Sequence, residues 1–228
     1  MRTDIVNMMR RRRFSNDWTL KQLEQARERF REISTIPVNT EIKGNSLVLN
    51  LDEAKNILVD ARRIVLMDCT CRVQRGNCEA PRNTCLRLNE RAKQALEIEE
   101  LKKLNPREVT VEEALRTLHE SHKYGLIHLA IAVEQNEVNE VCSCCPCCCL
   151  ALSTSIRYGL APKLLTSKTV AYTEKSKCVT CGICVKRCLL GSREIIDNSL
   201  LTDSTRCIGC GLCVTTCPTQ AISLIKKS

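Results

Sequence analysis

The 228-residue chain carries 18 cysteines, only one Trp, three Tyr and two Phe, and a formal net charge of +9. Its longest near-continuous apolar run, Leu126–Val133, falls far short of the roughly 20 residues that cross a bilayer, and no apolar stretch follows the Arg10–Arg13 run as in a secretory leader. A membrane span and an exported disulfide scaffold are therefore excluded as readings. A cytoplasmic chain is expected, and in a reducing compartment the thiols point to metal or redox chemistry.

Residues 1–16 read as a polar arm, with Arg10–Arg13 solvated or facing a partner. Asp17 or Thr19 caps a helix expected to reach Ser34, with Leu20, Leu23, Ala26, Phe30 and Ile33 at helical spacing. Leu47-Val48-Leu49 reads as a short strand. Asn50 with Glu53 opens a helix through Arg63, and Ile64–Met67 is strand-like. That run ends in Asp68-Cys69-Thr70-Cys71-Arg72, followed by a loop with Cys78, Pro81 and Cys85 and a charged helix over Leu86–Leu104. Thr110 and Glu113 form a capping box for a helix to Tyr124, stopped by Gly125. Leu126–Val133 is a buried strand or short helix, and Cys149–Tyr158 is helical up to Gly159. From about Ser167 the texture changes to short strands, turns and evenly spaced cysteines, which places a boundary near 165.

Cys178, Cys181, Cys184 and Cys188 have the spacing C-x2-C-x2-C-x3-C, and Cys207, Cys210, Cys213 and Cys217 repeat it, with Pro218 next. Three cysteines so spaced wrap one [4Fe-4S] cubane, while the fourth reaches the neighbouring cluster. One cluster is thus expected on Cys178, Cys181, Cys184 and Cys217, the other on Cys207, Cys210, Cys213 and Cys188. Gly182, Gly209 and Gly211 permit torsions that a side chain hinders. Zinc sites use paired Cys-x2-Cys units and not paired quartets. Over residues 168–228 the chain resembles the bacterial-type two-cluster ferredoxin domain. It departs from that pattern at Leu189, where a proline is usual, and at Gly191-Ser192, where a helix usually continues.

Ten cysteines remain: Cys69, Cys71, Cys78 and Cys85 in mid-chain, and Cys142, Cys144, Cys145, Cys147, Cys148 and Cys149 within CSCCPCCC. Read in threes, Cys142, Cys145 and Cys148 repeat the tail triplet, and Cys144 with Cys147 forms an overlapping frame. Pro146 disfavours a regular helix, so a loop that feeds ligands to two sites is expected. Adjacent cysteines rarely bridge each other, and zinc would occupy only four of the six. One or two further iron–sulfur clusters are therefore expected on these ten residues. The order D-C-x-C-R, Cys…Pro…Cys-Leu, Gly-Leu-Ile-His, C-C-x-C-C-C and a ferredoxin tail resembles a group of 4Fe-4S binding proteins found mainly in anaerobes. That resemblance covers about residue 47 to the end and implies electron transfer with no defined substrate.

The expected fold is α+β: a mainly helical, cysteine-rich N-terminal domain (17–165) followed by a small two-cluster ferredoxin-like domain (166–228). Each cubane with its four thiolates brings about −2, so four would reduce +9 to about +1. The basic excess is then internal compensation and not a nucleic-acid footprint. His128 reads as a core residue or as a cluster ligand or proton donor. Arg72 reads as a cluster neighbour or a surface arginine, and His119 and His122 as exposed. The leading expectation is an electron carrier that exchanges electrons with a flavin or iron–sulfur oxidoreductase, with a homo-oligomer as a further expected partner arrangement. The alternative is a redox enzyme that reduces a small substrate at an unusual N-terminal cluster.

Overall fold

Apolar residues on both faces of Ile64–Met67, alternation over Asn83–Leu88 and Val138–Cys144, and a continuous run at Ile127–Ala132 build the centre of a seven-stranded sheet. The computed structural model describes residues 14–30, 32–43, 46–133, 137–158 and 165–227. The expected arginine run of the arm and Gly159 lie outside the described residues. In chain order the elements are α1 (Leu20–Arg29), β1 (Glu32–Thr35), β2 (Asn39–Lys43), β3 (Ser46–Asn50), α2 (Asp52–Val59), β4 (Ile64–Asp68), α3 (Thr70–Arg75) and β5 (Asn83–Leu88). Then come α4 (Asn89–Glu97), α5 (Glu99–Lys102), β6 (Arg107–Glu108), α6 (Val111–Lys123), β7 (Ile127–Ala132), β8 (Val138–Cys144) and α7 (Leu150–Leu152), which continues as a π-helical turn over Ser153–Arg157. Then follow β9 (Leu165–Thr166), which joins the seven-stranded sheet, and in the tail β10 (Thr169–Thr173), α8 (Ile183–Arg187), β11 (Arg193–Ile196), β12 (Ser199–Thr202) and β13 (Ile222–Lys226).

The sheet runs β6-β4-β5-β8-β7-β1-β9, antiparallel except for the parallel β1–β9 pair. Side chains alternate across it. Ile64, Leu66, Leu86, Leu88, Ala130 and Val141 enter one core, with Ala54 and Leu58 of α2 and Ala114 and Leu118 of α6. Val65, Met67 and Cys85 face the other side, under Ala92 and Ala95 of α4, and Ile127, Leu129, Ile131 and Cys144 share that side in a neighbouring cluster. The scarcity of aromatics is thus met by an aliphatic sheet core, and one face of the sheet also presents thiols.

Several expectations change here. The N-terminal region, expected to be mainly helical, combines its helices with a central seven-stranded sheet, because short apolar runs do not by themselves distinguish buried strand from helix. Helix α1 stops at Arg29, since Phe30 is extended and Ile33 pairs with Ile131. Asn50 ends β3 instead of capping a helix, and α2 starts at Asp52 and stops at Val59. The helix expected from Leu86 begins three residues later, because Leu86 and Leu88 pair with Leu66 and Ile64 inside the sheet. Thr19, not Asp17, caps α1 in a reciprocal box with Gln22.

In the tail β10 pairs with β13, while β11 and β12 form a hairpin turning at Asp197 and Asn198, both at positive φ (48° and 60°). This hairpin occupies the stretch where Gly191-Ser192 breaks the usual ferredoxin pattern. The tail rests closely on the sheet domain. Gly211 has φ +79°, and a Cβ there would collide with the carbonyl of Val38. Arg187 Nη2 donates to the carbonyls of His122 (2.7 Å) and Lys123 (3.0 Å), which satisfies the C-terminal end of α6.

Candidate metal centres

The repeat in the tail brings its eight thiols to two cavities. One is lined by Cys178, Cys181, Cys184 and Cys217, the other by Cys188, Cys207, Cys210 and Cys213. In each, the last cysteine of one quartet faces the first three of the other. Backbone amides point at three of the sulfurs: Ala171 to Cys207 (3.4 Å), Ser192 to Cys188 (3.3 Å) and Ala221 to Cys217 (3.3 Å). Such donors stabilise a thiolate over a thiol. Burial works the other way and pushes Cys213 up to about 11, so a positive core is needed to hold it ionised at neutral pH.

Arg193 was not singled out by any sequence motif. It is fully buried, its charge acts on both Cys184 and Cys213, and Nη1 donates to Thr173 Oγ1 at 2.8 Å. Its Nη2 is buried and makes no hydrogen bond to protein among the described residues. A guanidinium left with a free donor between two thiol-lined cavities fits anionic clusters on either side.

Residues 201–223 match the family model of the 4Fe-4S binding domain. A ferredoxin-type domain therefore lies near the C-terminus. With the thiol groups described here, it points to iron–sulfur electron transfer. No curated protein and no solved structure matches the chain.

The ten remaining cysteines, in two sequence groups at Cys69–Cys85 and Cys142–Cys149, converge on one end of the sheet. Cys85 on β5 pairs with Cys142 on β8, and Cys144 follows on the same face two residues later. Cys69 ends the bulged segment after β4 and stands at the N-cap of α3, and its sulfur is next to that of Cys71. Cys144 neighbours Cys149, which starts α7. These six thiols, joined at one wall by Cys145 and Cys148, line a cavity of about 560 Å³, together with Trp18, Arg72, Arg87, Arg91 and Glu140. The other four, Cys78, Cys145, Cys147 and Cys148, have their sulfurs within 4.8 Å of one another. CSCCPCCC is therefore strand as far as Cys144 and turn from Pro146 to Cys148, where the sequence led us to expect loop throughout. The i,i+2 spacing of Cys142 and Cys144 was the available strand signal, and reading the stretch in threes obscured it.

Arg72 is buried, not superficial. It donates to the carbonyls of Pro81 and Ser143 (2.6 Å for the latter) and to Thr84 Oγ1 (2.9 Å), tying the mid-chain loop to β8. Burial opposes its charge, but the neighbouring Cys69, Cys145 and Cys144 hold its pKa above the usual value. Arg87 and Arg91 both pair with Glu140, the latter at 2.8 Å. His128 is buried, bonds Ser143 Oγ through Nδ1 at 3.0 Å and stands 5.8 Å from the His122 ring. Burial lowers its pKa to about 3, so it is a neutral core residue that braces β7 against β8. His122 was expected to be exposed but is buried. Its Nε2 meets Thr215 Oγ1 of the tail at 2.7 Å, and burial lowers its pKa to about 4. His119, expected to be exposed, is half-exposed beside Glu120 on α6.

Proposed function

We propose that the chain is a multi-cluster iron–sulfur electron carrier, in which a two-cluster tail relays electrons between a redox partner and a further cluster held by the sheet domain. A [4Fe-4S] cluster, when bound, supplies one-electron transfer with little rearrangement. Cys178, Cys181, Cys184 and Cys217 hold one cluster. Cys188, Cys207, Cys210 and Cys213 hold the other. Cys69, Cys71, Cys85, Cys142, Cys144 and Cys149 supply the thiolates in the 560 Å³ cavity.

One observation carries this reading. Leu212, between Cys210 and Cys213, is buried in the same apolar cluster as Cys144 and Cys149, and Cys210 packs against that cluster. The second tail cavity thus adjoins the thiols of the sheet domain. The first tail cavity is the outer one: Cys181 is exposed, and Val179 and Ile183 beside it are 61% and 43% exposed. A partner that docks there, a flavin or iron–sulfur oxidoreductase, has the shortest approach to the relay.

The test is anaerobic reconstitution of the full chain, followed by electron paramagnetic resonance during stepwise reduction. Magnetic coupling between a tail cluster and a sheet-domain cluster, lost in Cys142→Ser/Cys144→Ser but retained in Cys181→Ser, is expected. Two mutually coupled tail clusters and no third signal would reject the relay.

The size of the sheet-domain cavity favours a second reading, the reduction of a small substrate there, since its Arg87 and Arg91 walls suit an anion once Glu140 is accounted for. Oxidation of pre-reduced protein by small anions, abolished in Arg91→Met, would distinguish this from electron carriage alone.

A further inference from the structure

Four thiols are set apart from the other fourteen by their spacing. Cys78 Sγ lies 3.6 Å from Cys145 Sγ and 3.9 Å from Cys148 Sγ, Cys148 Sγ lies 3.9 Å from Cys147 Sγ, and all four fall within 4.8 Å of one another. A tetrahedral zinc ion with bonds of about 2.3 Å places its sulfurs about 3.8 Å apart. A cubane holds its four thiolates much farther apart, because each binds a different iron at a separate corner of the core. The tail provides an internal contrast: among the described residues, its eight thiols form no group of three or more at such short range.

We propose that Cys78, Cys145, Cys147 and Cys148 bind a single zinc ion as a closed four-thiolate structural site, separate from every iron–sulfur cluster. The inference does not depend on the electron-carrier reading. Its surroundings are those of a structural site. Cys145 and Cys148 are 7% and 1% exposed, and Leu126 and Ala80 pack around the group. The backbone that presents the thiols is held from outside: Asn77 Nδ2 donates to the Cys147 carbonyl (3.1 Å) and Trp18 Nε1 to the Cys148 carbonyl (2.9 Å). Protein thiolates fill all four positions, leaving none for water or substrate, and a d10 ion imposes no other geometry. The ion would join the mid-chain loop to the turn after β8 and so fix one wall of the neighbouring cavity. It also accounts for the surplus of cysteines: four would hold the ion, two of them (Cys145 and Cys148) in the wall shared with the cavity, and six remain for the cavity.

The test uses the full chain, reconstituted with iron and sulfide and purified without oxygen. Metal analysis is expected to give one zinc per chain. X-ray absorption at the zinc edge is expected to show four sulfurs at about 2.3 Å and no iron neighbour. Cys147→Ser/Cys148→Ser is expected to lose that zinc while iron and sulfide per chain stay unchanged. Absence of zinc, an iron neighbour in the zinc spectrum, or loss of iron from the double variant would overturn the proposal. The absorption measurement on the wild-type chain stands whether or not the variant folds.

Discussion

Arg193 is the residue whose removal reports most simply on the tail. A buried cation beside Cys184 and Cys213 stabilises the more negative, reduced state on both sides, so Arg193→Met is expected to lower both tail potentials by tens of millivolts, read by redox titration. Asp17 gives a separate test of stability. Its carboxylate accepts from Arg157 Nη2 (2.6 Å), Arg157 Nη1 (3.1 Å) and the Tyr158 hydroxyl (2.8 Å), and Arg157 is buried. Burial raises the Asp17 pKa, but the hydrogen bonds from Arg157 and Tyr158 outweigh it and hold the carboxyl below its ordinary value. A carboxyl with a depressed folded-state pKa contributes stability above its unfolded pKa and loses it as pH falls through the folded value. Asp17→Asn should therefore cost about 3 kcal/mol at pH 7, because it leaves a buried guanidinium without its anion. It should also remove the part of the acid sensitivity that Asp17 is expected to give the wild type below about pH 4. Thermal or denaturant unfolding from pH 3 to 7 checks both. At this scale the sequence announced the cysteines by spacing alone. The hydrogen bonds of Arg193 to Thr173, of Asp17 to Arg157 and of the buried His122 to Thr215 carried no local signal, since each joins residues at least 20 positions apart.

Strand β8 shows how an element turns a residue pattern into a site. Its alternation sends Val141 into the aliphatic core and Cys142 and Cys144 to the opposite face, where Cys85 of β5 meets them. Shifting this register by one residue would bury the wrong set, so the thiol constellation and the core specify each other. Helices with a capping residue and a 3.6-residue period, α1 and α6, were legible within a few residues. Strands such as β5 were not, because Asn83–Leu88 continues into a charged helical stretch with no glycine or proline between them. The tail's loops make a comparable demand at Gly211. Gly211→Ala must displace Val38 and adopt positive φ, and it should loosen the tail from the sheet domain. Faster proteolysis between residues 158 and 167, with the absorbance of the tail clusters retained, is the expected outcome. Equal protease resistance would argue that the two parts are not held together at this contact.

For the whole molecule, the tail has only a small apolar cluster around Ala171, Val214 and Ile222, so on the proposed reading its clusters carry much of its stability and chelation of iron should unfold residues 166–228 first. The larger sheet domain should persist on its aliphatic core, and loss of tail resonances before sheet-domain resonances on anaerobic chelation would show this order. The tail was readable from sequence because its eight cysteines fall in two short repeats. The sheet domain was only partly readable, because its cysteines come from several elements brought together by strand pairing. No helix of the described residues is long and apolar enough to cross a membrane. The central claim, that the thiols of the sheet domain hold iron as well as those of the tail, is tested most directly by counting iron and acid-labile sulfide per full-length chain after anaerobic reconstitution. About twelve irons or more are expected, falling to about eight in Cys142→Ser/Cys144→Ser. About eight irons in the wild-type chain, unchanged in that variant, would contradict it.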